Sequence, residues 1–274
     1  MEELVESILR RMSSVNRPQR YFITILLHVL CLVHGKATFR NMSRYCDLCE
    51  KTFARWYRRA FDFATLNSEL ISHELDQHSE KIAAIDASFM CKSGRCTEGL
   101  GWFYRGSTGR TEQGLEMSLI CIVDLQSNTA FGLDNRQTID IDPQQAHEET
   151  RVDQYVQQCA RVKDHLQRHS IRHIVADSYY SKVKFVNTVR QHHFHLVGKL
   201  RHDANLKWIY EGEYAGFGAP KKYDGKVKAF TQTQLPLEEL AKRVSPIIRG
   251  WINYFKAFWP SEMCRSLLDI NRAI

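Results

Sequence analysis

Two short apolar runs that each lead into an aspartate constrain this chain more than any other feature. KIAAIDASFM contains Asp86, and IRHIVADSYY contains Asp177. Runs of Ile, Val and Ala of this length predict buried strands. A carboxylate at the tip of a buried strand is costly to desolvate, and binding a divalent cation is the commonest reason to keep it there. The pair therefore predicts a metal site for two-metal phosphoryl transfer.

The elements around the two aspartates predict an α/β fold. Early strand candidates are IAAIDASFM, GLGWFYRG and LEMSLICIVDLQSNTAFGL, and residues 151–169 form an amphipathic helix pattern. A strand (IRHIVADS), a helix (SKVKFVNTVRQHH) and a strand (FHLVGKL) follow. Three early strands, then helix, strand, helix and strand, is the element order of a ribonuclease-H-like mixed sheet. Adjacent strands in such a sheet would bring Asp86 and Asp177 together.

Residues 1–80 are predicted to be helical, with a helix-turn-helix-like pair broken near residues 46–48. The second helix has a basic face and an apolar side, which suits phosphate contacts and packing. The basic residues are Lys51, Arg55, Arg58 and Arg59, and the apolar ones are Phe53, Trp56, Tyr57 and Phe61. A net charge of +7 also favours a polyanionic partner. The alternative is a helical bundle that only packs.

The chain contains eight cysteines but shows no secretory signal pattern at its N terminus. We therefore expect a cytoplasmic protein with reduced thiols. Cys46 and Cys49, with Cys91 and Cys96, could be drawn as a zinc site, but their spacing favours free cysteines. The apolar stretch FITILLHVLCLV is too short to span a bilayer, so no membrane contact is expected.

The last third of the chain changes character. Residues 201–228 are basic and loop-like, which fits either a strand-contacting loop or a solvated one. From Pro236 the sequence is aromatic and helical. Its aromatic residues form a stripe at helical spacing, which is more typical of a packed core than of a surface that binds a ligand. The stripe comprises Trp251, Tyr254, Phe255, Phe258 and Trp259.

Several motifs in order resemble the DDE transposases of bacterial insertion sequences. They are IDASFMCKSG, GLEMSLICIVD, RQT at 136–138, VADSYYSK and KLRHDANLKWIYEG with PKKYDGKV, preceded by HGKATFRNMSRY and EKTFARWYRRAFDF. The resemblance covers roughly residues 20–228. It implies a ribonuclease-H-like fold, Mg²⁺ (or Mn²⁺), and Asp86 and Asp177 as metal ligands and the first two catalytic acids. It also implies double-stranded DNA ends as substrate and a homodimer on DNA, with Lys182, Lys199 and Arg201 near the strand.

The third acid of that family is missing from its usual place. It is a Glu on a helix with the pattern Y-x2-R-x3-E-x6-K, which does not occur here. Glu211, Glu213 and Asp224 precede the place where that helix should begin, and Glu238 and Glu239 belong to a different resemblance. We therefore expect a truncated transposase core that is weak or inactive, since one metal ligand of three is lost.

The segment from about 236 to 274 resembles the maturase-specific domain of group II intron proteins. PIIRGWINYF and the following helix bear the resemblance, which implies intron RNA as a partner. The phosphate-facing candidates are Arg243, Arg249, Lys256 and Arg265. The expected regions are 1–80 for DNA binding, 81–229 for the catalytic core without its last helix, and 235–274 for the maturase-like helical tail. A maturase-type RNA-binding protein and a non-catalytic nucleic-acid-binding remnant are the alternatives to a transposase.

Overall fold

The computed structural model describes residues 2–76, 78–94, 96–141 and 149–200, and beyond them 204–205, 207–212, 216 and 218–226. Five helices come first: α1 (Glu2–Arg11), α2 (Arg17–Leu32), α3 (Phe39–Met42), α4 (Glu50–Tyr57) and α5 (Phe63–Glu74). Four strands follow: β1 (Lys81–Cys91), β2 (Gly101–Arg105), β3 (Arg110–Asp124) and β4 (Thr129–Thr138). The order ends with α6 (Arg151–Arg168), β5 (His173–Ala176), α7 (Val183–Gln191), β6 (His195–Gly198), β7 (Lys207–Ile209) and β8 (Tyr223–Lys226).

The front of the chain is helical, as its sequence predicts. Asn16 caps α2 by accepting a hydrogen bond from the backbone N–H of Gln19, with a proline in the first turn. The helices share a core in which the Phe22 ring lies 5.7 Å from Phe53 and 5.4 Å from Trp56. The N-terminal helices therefore form a packed unit with α4 on its surface.

The large sheet has the strand order of a ribonuclease-H-like fold. β1 lies at its centre, antiparallel to β3 and parallel to β5, and β6 continues the sheet beyond β5. β4 pairs with the far edge of β3, and the short β2 pairs with the beginning of β3. Without β2 the order is β4-β3-β1-β5-β6. The third predicted strand run divides into β3 and β4 at a turn where Asn128 has a positive φ, so the early strands number four.

The main core lies between the sheet and helices α5, α6 and α7. Ile85, Ile120, Val162, Leu166 and Phe185 are among its fully buried members. The other face of the sheet has a smaller apolar cluster, which comprises Ile82, Ala84, Val123 and Val175. Successive residues of a strand point to opposite faces, so alternate positions of β1 and β3 divide between these two clusters.

Helix α5 belongs to both hydrophobic cores. Leu66 packs in the helical core, whereas Ile71, and Leu75 immediately after the helix, pack in the sheet core. The Ser68 hydroxyl lies 3.0 Å from Nε2 of His169, just after α6. The side chain of Asn67 also donates to the carbonyl oxygen of Leu133 in β4 at 3.0 Å. These contacts join the helical unit directly to the sheet.

Residues 201–228 are not entirely loop, contrary to the expectation from their composition. β7 and β8 pair as an antiparallel two-stranded sheet whose residues are all exposed. The aromatic tail from 236 lies outside the described residues. Every helix in the described part of the chain is too short or too polar to serve as a membrane-spanning segment.

Candidate active site

The parallel pairing of β1 with β5 places Asp86 beside Asp177. Ile85 pairs with Ala176, and in both chain segments the residue that follows is the aspartate. Asp177 follows β5 and is exposed, as expected for a strand tip. Asp86 is different, because it is half-buried and β1 continues for five residues beyond it. The expectation that Asp86 ends its strand is therefore wrong.

The surroundings of both aspartates disfavour negative charge. The pKa of Asp86 is raised to about 6, chiefly by burial, with smaller upward contributions from the charges of Asp177 and Glu116 and against the opposing effect of a hydrogen bond from the Ala87 backbone. Partial desolvation of its carboxylate also raises the pKa of Asp177, although the residue keeps contact with solvent. The Tyr179 backbone N–H donates to Asp177 Oδ1 at 2.9 Å and partly offsets this effect. A cation between the two acids would relieve this electrostatic strain.

A third carboxylate, that of Glu116 on β3, acts on Asp86 through its charge. Glu116 is buried and accepts a hydrogen bond from the Tyr155 hydroxyl at 2.6 Å. It pairs with Phe89, whereas Asp86 pairs with Leu119, so the two acids point to opposite faces of the sheet. Within the described ranges no three His, Cys, Asp or Glu side chains are grouped closely enough to hold one ion.

The downstream acids do not complete the site. Asp224 is bound at 2.6 Å by Lys221 in the exposed β7–β8 sheet. Glu211 is exposed just after β7, and Glu213, Glu238 and Glu239 lie outside the described residues.

A sequence signal for Glu116 was nevertheless present. It occupies an inward position of β3, on the stripe that includes Ser118 and Ile120, where a charged residue is unusual.

Tyr180 lies three residues after Asp177 and packs in the main core. Residues Ser178–Tyr180 form one turn of 3₁₀ helix capped by Asp177. The ring of Tyr180 packs 5.1 Å from Tyr155 and 5.1 Å from Phe185, and the residue is only 2% exposed. Its hydroxyl has no hydrogen-bond partner in the structure as described.

The basic residues predicted to contact DNA fall into two groups. Lys51, Arg55, Arg58 and Arg59 are all exposed on α4 or just after it. The guanidinium of Arg59 lies 4.4 Å from the centre of the Trp56 ring. Tyr57, predicted as packing surface, is instead 78% exposed. The first group therefore presents charge together with an exposed aromatic ring.

The second group comes after strands β5 and β6 in the chain. Lys182 is the N-cap of α7, and its Nζ lies 4.4 Å from the centre of the Tyr179 ring. Lys199 is exposed immediately after β6. Arg201 lies outside the described residues. So do the four RNA-binding candidates Arg243, Arg249, Lys256 and Arg265.

An open aromatic sheet face adjoins Asp86, and it was not predicted from the sequence. Trp102 and Tyr104 of β2 are 58% and 62% exposed, and Met90 of β1 is 45% exposed. Strand pairing puts Trp102 beside Gln113 and Met90 beside Leu115, on the same face as Asp86. We call Met90, Trp102, Tyr104 and Leu119 the open sheet face.

Comparisons with known proteins agree with the strand order. Residues 13–234 match the family described as DDE superfamily endonuclease, and residues 221–274 match the group II intron maturase-specific domain. Both resemblances predicted from the sequence are thereby confirmed. No curated protein matches the chain.

Several solved structures are similar at low identity. One is the Mos1 transposase paired-end complex with the left transposon end, with 12% identity, 62% of this chain and 57% of that chain covered, and a TM-score of 0.24. Another is the Mos1 mariner paired-end complex with Mn, with 11% identity, coverage of 62% and 56%, and a TM-score of 0.25. This chain thus spans less than two thirds of those chains. The family match over residues 13–234 is the decisive one: the chain belongs to the DDE endonuclease superfamily and has its ribonuclease-H-like fold.

Proposed function

We propose that this chain is a DNA transposase that cleaves and joins DNA strands at a site formed by Asp86 and Asp177. The single observation that supports this most is the parallel pairing of Ile85 with Ala176, because Asp86 and Asp177 each follow one of these two residues on neighbouring strands. Burial raises both pKa values, and the charge of Asp177 adds to the effect on Asp86, which is typical of functional acids.

The donor set fits a hard divalent cation, Mg²⁺ or Mn²⁺. Asp86 and Asp177 offer only oxygen ligands, which these ions prefer, and a bound cation would offset the cost of burying their charge. Such an ion, when bound, neutralises charge on the phosphate and lowers the pKa of an attacking water or 3′-hydroxyl. The backbone N–H of Tyr179 fixes the orientation of Asp177, and the strand pairing fixes that of Asp86.

Double-stranded DNA is the proposed substrate. Exposed basic residues of α4 supply sequence-independent phosphate contacts, which dominate DNA affinity. The open sheet face offers Trp102 and Tyr104, two rings two residues apart, on which unpaired bases beside a cleavage point can stack. Lys182 is held against the ring of Tyr179, two residues after Asp177, and is the proposed contact to the scissile phosphate.

We infer that the enzyme is slow. Among the residues that the structure describes, no third carboxylate joins Asp86 and Asp177 as a ligand, and two carboxylates hold an ion less firmly than three. Glu116 acts on Asp86 through its charge. Nicking of supercoiled plasmid in Mg²⁺ or Mn²⁺ tests the proposal, with Asp86→Ala and Asp177→Ala as site variants. Asp164→Ala, an exposed acid of α6, is the matched control. Nicking that persists in both site variants, or that never exceeds the double-variant background, would overturn the assignment.

RNA binding is a second candidate function, because residues 221–274 match the maturase-specific domain. Binding of the full chain to duplex DNA and to structured RNA, each at several salt concentrations, separates the two partners. Arg249→Ala should weaken only RNA binding if the tail binds RNA. Equal loss for both nucleic acids would contradict an RNA-specific role.

A further inference from the structure

Part of the sheet face that bears Asp86 is buried, although the described helices that pack on the sheet lie on the opposite face, in the main core. Ala84 and Val175 on this face are each only 4% exposed. The apolar side chains packed against their cluster belong to β4 and β6 or follow β3 directly; they are Ala130, Val197 and Leu125. Neighbours in the same sheet shield these side chains from the sides but not from above, so such burial requires a second packed layer.

The buried part of this face ends at Asp86. Along β1, burial falls from Ala84 through Asp86 to Met90, which is 45% exposed. On β3 the same step occurs between Cys121, which is 6% exposed, and Leu119, which is 38% exposed. Strand pairing puts Cys121 beside Ala84 and Leu119 beside Asp86, so the boundary runs straight across two strands, as the edge of one packed element would. We call the buried part the covered sheet face; it comprises Ile82, Ala84, Cys121, Val123 and Val175.

The last part of the chain is the segment suited to cover this face. Every residue of β7 and β8 is exposed, so these two strands bury no side chains against the large sheet. The earlier stretches outside the described ranges are short, and the longest of them, residues 142–148, is polar. Residues 227–274 follow β8, lie outside the described residues and are rich in aromatic and aliphatic side chains.

Within that segment, residues 247–259 have the pattern of an amphipathic helix. The aromatic stripe repeats every three or four residues, which puts its five members on one side of a helix. By the same spacing, Arg249 and Lys256 fall on the opposite side. A helix over these residues would be about 20 Å long, and the four strands β3, β1, β5 and β6 together span about 14 Å, so the lengths match.

We propose that the C-terminal segment packs its aromatic stripe on the covered sheet face and forms the second layer of the sheet domain. An apolar sheet face and an apolar helix side each need a partner layer, and here each supplies the other. This packing leaves Arg249 and Lys256 on the outer side of the segment. The part of the chain that matches the maturase-specific domain is then a structural part of the sheet domain and not a separate module.

Alkylation of the full chain by iodoacetamide, mapped by mass spectrometry, tests this packing through two buried thiols. Cys121 lies on the covered sheet face, whereas Cys159 lies in the main core on the opposite face. Burial raises the pKa of both thiols, so each reacts slowly while it is covered. In wild type both should therefore react much more slowly than the exposed Cys91.

Trp251→Glu combined with Phe255→Glu puts two charges on the aromatic stripe. This variant should raise the alkylation rate of Cys121 at least about tenfold, because the cover opens more often, and leave that of Cys159 unchanged. Asn253→Glu with Ala257→Glu is the matched control, since it puts the same charges at the same spacing on the other side of the segment. It should leave both rates as in wild type. Alkylation of Cys121 as fast as that of Cys91 in wild type, or unchanged protection of Cys121 in the stripe variant, would overturn the inference.

A crosslinking measurement decides the case in which the stripe variant unfolds and both thiols react. Phe255→benzoylphenylalanine retains an aromatic ring and adds no charge. On irradiation of the full chain it should crosslink to peptides from β1, β3 or β5, and crosslinks confined to other parts of the chain, or none, would overturn the inference. Neither measurement involves nucleic acid or metal, so a negative result leaves the proposed function untouched.

Discussion

Asp86 should destabilise the cation-free protein at neutral pH, and Asp86→Asn should relieve the effect. Its pKa rises from the ordinary 3.8 to about 6 in the folded chain. A shift of this size corresponds to about 3 kcal/mol at most, at about 1.4 kcal/mol per pKa unit. Because Asp86 keeps some contact with water, we expect the asparagine variant to gain about 2 kcal/mol in free energy of unfolding.

The sign and the pH window follow from linkage. Below pH 3.8 the carboxyl group is neutral in both states, so the penalty is absent and variant and wild type should be nearly equally stable. As the pH rises, the unfolded state ionises first and wild type loses stability. The loss is complete above about pH 6, the pKa of the folded state. The stability difference should therefore grow between about pH 4 and 6 and then remain constant.

Urea unfolding in chelator at pH 4, 5, 6 and 8 measures this difference directly. Asp164→Asn on the exposed surface of α6 is the control and should show no such trend. Adding Mn²⁺ at pH 8 should reverse the order, since only wild type retains both carboxylates. A variant that is less stable than wild type at pH 8 without cation, or a difference that does not vary with pH, would refute the reasoning.

Three further predictions concern other parts of the molecule. Lys51→Ala combined with Arg55→Ala should lower the slope of log affinity against log salt by about 2 in duplex DNA binding, and an unchanged slope would exclude α4 from the interface. Trp102→Ala should weaken binding to gapped DNA by about 1–3 kcal/mol in fluorescence titrations but spare intact duplex; equal losses for both would exclude base stacking. Gln158→Ala should lower the free energy of unfolding by about 3 kcal/mol in urea, because the buried Gln158 amide bonds Ser118 and Asp134; a loss below 1 kcal/mol would contradict this.

The sequence was sufficient to predict the sheet and its two aspartates because both depend on local pattern. Apolar runs identify β1 and β5, and the alternation of strand and helix restricts how they pair. The position of Asp86 within its strand was not predictable in this way. The end of β1 is decided by pairing with β3, which continues to Cys91 and Gly114, a contact remote in sequence.

Glu116 and Tyr180 illustrate a different limit. Whether a glutamate on β3 approaches Asp86 depends on the register between two strands. The pairing of Glu116 with Phe89 is set by tertiary contacts and not by the local sequence. The unsatisfied hydroxyl of Tyr180 depends on how three aromatic rings pack around it. Sequence pattern could indicate an inward glutamate, but it contains no information on whether a buried hydroxyl finds a partner.

The double membership of α5 has a consequence for how this protein would handle DNA. A helix packed into both cores cannot hinge between them without exposing Leu66 on one side or Ile71 on the other. The basic surface of α4 and the two aspartates are therefore held at a constant separation. Under the proposed function, this constant separation would fix the number of base pairs between the DNA bound by the helices and the phosphodiester bond that is cleaved.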